Sequence, residues 1–530
     1  MTMIIRNPAG DEVRNQAPPL PEFNLFEADL ALQEGLARHA PGRDPGRVSE
    51  LGRIAGSGEA RQHARRAEQN LPRLHTHDGS GRRIDEVECD PSFHWLLRTG
   101  LAHGVSSLAW RDPGPGAHAE RYALGYLWGQ LNTGVMCPLI MTFAAVPVLR
   151  TYAPELAAEW VPRLTAPVGG AVAGQAFTEK QGGSDLRGTT TRAVDAGDGT
   201  HELWGHKWFV SAPMADVFLT LARTDAGLSC FLVERGPGFR ILRLKDKLGT
   251  RALPTAEVEF HGVRGRLVGS PGRGMAALVR NVGHARLGPA VAPEMRAAVV
   301  AAIHHCRHRR AFGARLADQP LMKNVLADLA IESESATATS LRLAAAYEDY
   351  DSPLRRLATT VQEYAGCGRV TGHVAEAMQC LGGNGYSESS GLPRLVRDAA
   401  VHPIWEGSGN VIALDILRVL ADEPEAVEAF LAECELARGG DARLDAHLDR
   451  TKSLLRAVIS MSVEDAAFSS RKVVEDLATA FSASLLVRFS VPAVADAYCA
   501  GRLGADRGLA YGTLPKGIAA KAIIDRAAPL

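Results

Sequence analysis

The apolar residues of this chain change their spacing twice, and that change restricts its architecture more than any other feature. Between residues 48 and 164 they recur three and four apart, as in Leu51, Ile54 and Ala55, then Phe93, Leu96 and Leu97, then Tyr122, Tyr126, Leu127 and Leu131. That is the period of helices that bury one face. From 170 to 269 the runs become short, alternating and turn-bounded, at 190–194, 202–204, 217–222, 230–233, 239–242 and 256–260. Strands about ten residues apart suit a small barrel or sandwich. After Gly274 the helical period returns, at 297–308, 321–347, 355–381, 414–420 and 426–438. A last helical segment, 444–524, breaks at Pro492 and at 501–512. This order predicts a mainly α protein with a central β-barrel. Its expected parts are an N-terminal arm (1–47) with one helix at 27–39, a helical domain (48–169), the barrel (170–274), a second helical domain (275–438) and an extra C-terminal helical domain (439–530).

Length agrees, because 530 residues exceed the roughly 250–300 at which one core stops growing. A 46% hydrophobic share excludes a largely disordered chain. The net charge of −1 excludes a globally basic nucleic-acid binder, though not a local basic face. The eight cysteines are scattered without a Cys-x-x-Cys pair and are expected to be reduced and buried. No stretch is expected to reach the roughly 18–20 uninterrupted apolar residues of a membrane span, and residues 1–16 carry no signal-peptide core. A cytoplasmic protein without a membrane partner is the expectation. His304 and His308 share a helix face but lack further ligands, so no metal site is predicted. Asp78-Gly-Ser-Gly81 reads as a hairpin-type or loop turn.

Four segments carry chemistry. The first is Gln175-Ala-Phe-Thr-Glu-Lys-Gln-Gly-Gly-Ser-Asp185, and the second is Gly205-His-Lys-Trp-Phe-Val-Ser211. The third is Arg309-Arg-Ala-Phe-Gly313, followed by Gln319. The fourth is Gln379-Cys-Leu-Gly-Gly-Asn-Gly-Tyr386, with Leu395-Val-Arg-Asp398 and Ile404-Trp-Glu-Gly-Ser-Gly-Asn410 close behind. In this order they resemble the acyl-CoA dehydrogenase family of flavoproteins over roughly residues 90–420. Leu228-Ser-Cys-Phe231, Arg243-Leu-Lys-Asp-Lys-Leu-Gly249 and the extra C-terminal block are similar to the AidB-type branch, which is linked to DNA alkylation damage.

The resemblance implies FAD as cofactor. It implies that Phe177, Thr178, Gly183 and Ser184 contact the flavin ring and pyrophosphate, with Phe209 against the ring and Ser211 near N5. Arg309 and Phe312 then reach the FAD of a neighbouring subunit, Gln379, Gly382 and Gly383 support the adenosine half, Ser408 and Asn410 close over the adenine side, and Trp405 is a further cofactor-binding residue. A homotetramer, a dimer of dimers, follows. Glu406 is the implied catalytic base, because oxidising an acyl thioester removes an α-proton and a β-hydride together. The family's other base position precedes Arg286 and is Ala285 here. A structural acid near a helix start is the bland alternative for Glu406.

The AidB-type resemblance also implies binding of double-stranded DNA through the C-terminal block. From Asp441 onward there are 12 basic and 10 acidic residues, which is far from a basic domain. Three functions therefore stand. One is a flavoprotein that binds DNA nonspecifically and protects against alkylation, with weak oxidation of an isovaleryl-like acyl-CoA. Another is an ordinary acyl-thioester dehydrogenase passing electrons to an electron-transfer flavoprotein. The third is a DNA-binding or scaffolding tetramer with little chemistry.

Overall fold

A computed structural model describes residues 13–288, 291–349 and 352–529. The arm runs without regular structure to Asp29, whose carboxylate accepts a hydrogen bond from Leu32 N and starts α1 (Leu30–His39). Helices α2 (Gly46–Ala55), α3 (Gly58–Gln69), α4 (Pro91–Ala102), α5 (Leu108–Arg111), α6 (Ala117–Gly129), α7 (Thr133–Tyr152) and α8 (Pro154–Leu164) follow. Between α3 and α4 the turn at Asp78–Gly81, of the hairpin type, joins two strands that the sequence pattern did not reveal, β1 (Arg73–His77) and β2 (Arg83–Glu88). Its residues are mostly exposed, so no apolar alternation marks them. Helix α7 corrects another expectation. It is long and apolar enough to cross a membrane, yet almost all of it is buried in the protein core. It starts at Asn132, whose side chain accepts from Val135 N at 2.9 Å.

The β region contains β3 (Ala173–Ala176), β4 (Arg192–Asp195), β5 (His201–Ser211), β6 (Val217–Thr224), β7 (Gly227–Glu234), β8 (Phe239–Leu244) and β9 (Thr255–Val268). Antiparallel pairing runs β6–β7–β9–β5–β4, and a parallel bridge between Arg192 and Arg223 returns to β6 and closes the ring. Strand β3 lies parallel to β6, and β8 pairs with the long β9. Side chains alternate across the wall, as the two-residue period requires. Phe218, Phe231 and Val233 join one core, while Val217, Leu219, Cys230 and Leu232 join a second with residues of α7 and α8. The central β-barrel is thus buried on both faces where α7, α8 and α9 (Gly274–Ala285) cover it.

The second helical part consists of α10 (Val291–His308), a short hairpin β10 (Arg310–Ala311) and β11 (Ala314–Arg315), α11 (Pro320–Ala346), α12 (Pro353–Gln379), α13 (Leu392–Ala399), α14 (Gly409–Asp422) and α15 (Pro424–Glu435). It is followed by α16 (Ala442–Ile459), α17 (Val463–Phe489), α18 (Pro492–Leu503) and α19 (Ala520–Ala527). An unexpected break between α16 and α17 is fixed by Ser462, which caps Asp465 N. These last helices share a core with the preceding ones: α17 packs on α11, α12 and α14, and α19 on α11. Ion pairs stitch the same seam, Arg502 to Asp328 and Glu332 at 2.6 and 2.8 Å, and Arg526 to Glu334 and Glu34 at 2.9 and 2.6 Å. All eight cysteines are buried thiols.

Candidate active site

A cavity of about 1380 Å³ opens between the barrel and the helices around it. Nine of the predicted residues line it: Phe177, Thr178, Gly183, Ser184, Phe209, Ser211, Trp405, Glu406 and Ser408. They arrive from the loop after β3, the end of β5 and the loop before α14. Cys137, Ile140 and Met141 of α7 and Glu363 of α12 complete the wall, and arginines are numerous, among them Arg187, Arg280 and Arg355.

The first loop is fastened to the barrel by a buried ion pair. Lys207 Nζ lies 2.9 Å from Glu179 Oε1, and neither side chain is more than 1% exposed. Glu179 also accepts from the backbone and hydroxyl groups of Thr190 and Thr191 at 2.5–3.1 Å. Burial works against ionisation of this carboxyl, but the ammonium and these donors outweigh it and hold it well below the usual range. On either side, Trp208 N donates to Thr178 O at 2.8 Å and Lys180 N to His206 Nε2 at 2.9 Å. Gly183 folds back so closely that an added Cβ would stand 2.9 Å from Thr178 Oγ1. An irregularity in the β5–β9 register follows Lys207. It turns Val210 into the core and leaves Phe209 half exposed toward the cavity, with Lys245 Nζ 4.8 Å from the ring.

Below Ser211, Lys247 ties the 247–255 loop together. Its ammonium donates to Thr250 O and Leu253 O at 2.8 and 2.9 Å and to the hydroxyls of Thr250 and Thr255 at 3.1 Å. Burial pulls its pKa down to about 8.

Glu406 sits in the left-handed backbone region, with φ of 51°. Arg286, at the end of α9, donates through Nε and Nη2 to the Glu406 carbonyl at 3.0 and 2.5 Å. Gly407 follows at φ 114°, and a Cβ there would meet Arg286 Nη2 at 2.8 Å. A bent, clamped backbone therefore aims this carboxyl into the cavity. Burial pushes its pKa up to about 7; Arg286 opposes the rise and Glu363 reinforces it. Burial also raises Glu363 above the usual carboxylate range. Such a group accepts and holds a proton near neutrality.

Six predicted residues lie away from this cavity. Arg309 and Phe312 are on the β10–β11 hairpin, where Phe312 (φ 50°) and Gly313 (φ 80°) form the tip and the Phe312 ring is almost wholly exposed. Gln379, the last residue of α12, and Gly382 and Gly383 just beyond it are on the surface. A Cβ added at Gly383 would touch nothing among the described residues. Asn410 Oδ1 accepts from Arg471 Nε at 2.9 Å. None of the six is among the residues that line the cavity, although Asn410 lies between two that do, Ser408 and Val411.

Family profiles match in the same order. Residues 15–168 fit the AidB N-terminal domain, described as that of an adaptive response protein. Residues 174–263 and 272–421 fit the middle and C-terminal domains of acyl-CoA dehydrogenases. AidB of Escherichia coli (strain K12) is 37% identical over 511 residues, covering 92% of this chain and 93% of the relative. The chain belongs to the AidB-type branch of the acyl-CoA dehydrogenase family. Another relative in the family, acyl-CoA dehydrogenase family member 11 of Caenorhabditis elegans, is 34% identical over 82% of this chain and 77% of its own. The crystal structure of C. elegans ACDH-11 in complex with C11-CoA superposes with a TM-score of 0.84 at 28% identity, covering 97% of each chain. Acyl-CoA dehydrogenases are FAD-dependent oxidoreductases, and that class is what the family membership supports here.

Sequence reasoning did not single out Arg286 as the clamp on Glu406, Glu363 as its companion carboxyl, or the Glu179–Lys207 pair. A signal for the pair existed. Both residues lie inside the quoted motifs, and Lys207 stands two residues from Gly205 on what became an inward strand position.

Proposed function

We propose that this protein binds FAD and oxidises an acyl-CoA thioester, with Glu406 as the base. The observation that carries the reading is Glu406 itself, a half-buried carboxyl poised near neutrality on the wall of the cavity that Phe177, Thr178 and Ser211 also line. The residues fit the cofactor. Small-molecule pockets usually span about 300–1,000 Å³, so 1380 Å³ has room for a dinucleotide and an acyl chain together. Phe177 and Phe209 offer apolar walls and Thr178, Ser184 and Ser211 hydroxyls, while arginines suit phosphate groups.

FAD, when bound, supplies the acceptor for the β-hydride. Glu406, as carboxylate, takes the α-proton while the Cα–Cβ double bond of the thioester forms. Arg286 keeps the Glu406 backbone in the conformation that presents the carboxylate. Ile140, Met141 and Leu343 are apolar wall for an acyl chain, a class in line with the C11-CoA bound by the C. elegans relative. The six remote residues are read as serving a neighbouring subunit: Arg309 and Phe312 for its flavin, Gln379, Gly382 and Gly383 for its adenosine half, and Asn410 for the closing edge. Their surface position and the open space at Gly383 favour a shared cofactor in a tetramer. An electron-transfer flavoprotein is the natural electron acceptor, and the cytoplasm the location.

The test is anaerobic addition of acyl-CoA thioesters to the flavin-loaded protein. Bleaching of the flavin band by at least one thioester, and its loss in Glu406→Gln, is the expected result. A colourless protein that FAD does not reconstitute refutes the cofactor, and equal bleaching by the variant refutes the base.

Nonspecific DNA binding, with protection against alkylation, is a second reading favoured by the AidB relatives. Seven of the twelve cations after Asp441 are held by acidic side chains: Arg443, Lys452, Lys472, Arg488, Arg502, Lys521 and Arg526. Arg450, Arg456, Arg471, Arg507 and Lys516 are exposed, without an acidic partner among the described residues. They are the cations available to phosphates.

A further inference from the structure

The β10–β11 hairpin with Arg309 and Phe312, and the loop with Gly382 and Gly383, are the two surfaces offered above to a neighbouring subunit. One segment holds both. In the hairpin, Leu316 N donates to Arg309 O at 2.8 Å on the inner side, so the N–H and C=O of Arg310 face outward. Asn15 of the arm takes both of them. Arg310 N donates to Asn15 Oδ1 at 2.8 Å, and Asn15 Nδ2 donates to Arg310 O at 2.9 Å. A single side-chain amide thus stands in for a third strand. The Asn15 carbonyl also accepts from Arg309 Nη1. At the next residue, Gln16 Oε1 accepts from Asn384 Nδ2 at 2.9 Å, beside Gly382 and Gly383. Two residues further, Pro18 O accepts from His304 Nε2 at 2.8 Å and fixes the arm to α10. Asn15 has a φ of 52°, a left-handed conformation that asparagine tolerates better than most residues.

We propose that residues 15 and 16 form a strap that presets both subunit-facing loops, with Asn15 as a positioning residue for Arg309 and hence for the cofactor of the neighbouring subunit. This rests on the FAD reading above. The hairpin has ladders only two residues long, and an exposed two-stranded ribbon is marginal by itself. A loop already held in its binding geometry loses less freedom when the ligand arrives. The Asn15 carbonyl leaves the other guanidinium nitrogens of Arg309 to meet an anion.

The experiment compares FAD release from diluted holoprotein, followed by flavin fluorescence, for wild type, Asn15→Gly, Arg309→Ala and the double variant. Glycine accepts the left-handed backbone, so Asn15→Gly removes the amide without adding strain. A dissociation constant about tenfold weaker is expected, the scale of two exposed hydrogen bonds. Asn15→Asp, which keeps the acceptor and loses the donor, should fall between. The double variant should bind no more weakly than Arg309→Ala, since Asn15 acts through that residue. Wild-type affinity in Asn15→Gly, or losses that multiply in the double variant, overturns the proposal. A wild-type protein that never binds FAD instead overturns the cofactor reading and this proposal with it.

Discussion

Replacing Lys207 with methionine should leave the Glu179 carboxylate charged and unpaired between β5 and the loop that carries Thr178. Breaking a buried pair in this way costs about 3–5 kcal/mol. The remaining donors from Thr190, Thr191 and Gln181 put the expected loss near the low end, about 3 kcal/mol at neutral pH. The pH dependence carries the sign. In the wild type Glu179 is held well below its ordinary range, so its contribution is present above the unfolded-state value and is lost as pH falls toward the folded one. Without Lys207 the carboxyl moves up and the variant has less to lose. The gap between the two proteins should therefore shrink by roughly 1.4 kcal/mol per pH unit below about pH 4.3. Urea titration read by hydrogen-exchange mass spectrometry on peptides covering β5 and β9 isolates the barrel from the helical parts, which a single global transition would mix. A loss under about 1 kcal/mol, or a gap indifferent to acid, would refute the claim that this pair holds the loop.

Three other outcomes follow from the same geometry. Flavin reduction by a substrate thioester should rise with pH through about 7 as Glu406 loses its proton, with Glu363→Gln moving the midpoint down and Arg286→Ala moving it up; stopped-flow traces across pH check both directions, and shifts of the same sign would contradict the clamp. Glu406→Gln should stabilise the protein above neutrality by on the order of 3 kcal/mol, because the native state no longer ionises a half-buried, desolvated acid; thermal denaturation at two pH values measures it, and equal stability would mean the carboxyl is hydrated. Charge reversal at Arg450, Arg456 and Lys516 should weaken binding to a DNA duplex and flatten its salt dependence by about 0.9 for each phosphate no longer neutralised. Gel shifts across a salt series decide that one, and unchanged slopes would remove these cations from any DNA surface.

How much of this was legible in the sequence varies from element to element. The helical–β–helical order was readable because it rests on local spacing, and the cavity motifs because together they resemble those of the acyl-CoA dehydrogenase family. Strand β5 was glimpsed only at 202–204, although it runs from His201 to Ser211. The reason is physical: a charged Lys207 faces inward and an aromatic Phe209 faces outward, which inverts the pattern that marks a strand. Strand β9 was under-read for a related cause, since Gly262 and Gly265 and several charges interrupt its apolar run. Glu406 announced itself through the motif around it. Glu363 did not, because an acid in a 27-residue helix that also carries Glu376 reads as a solvated face until the cavity is seen beside it. The strap at Asn15 joins positions nearly three hundred residues apart, a distance no periodicity can span.

Helix α7 has a consequence for the birth of the chain. Its flank toward β3 and α9 is apolar and closes only when those elements exist, and α9 begins some 120 residues after α7 ends. At a synthesis rate of about 5–20 residues per second, that surface emerges from the ribosome and stays bare for about 6–24 seconds. For that interval the nascent chain displays a segment with the length and greasiness of a membrane anchor. A ribosome-associated holdase should therefore crosslink most strongly to chains stalled between α8 and α9 and let go once α9 has emerged.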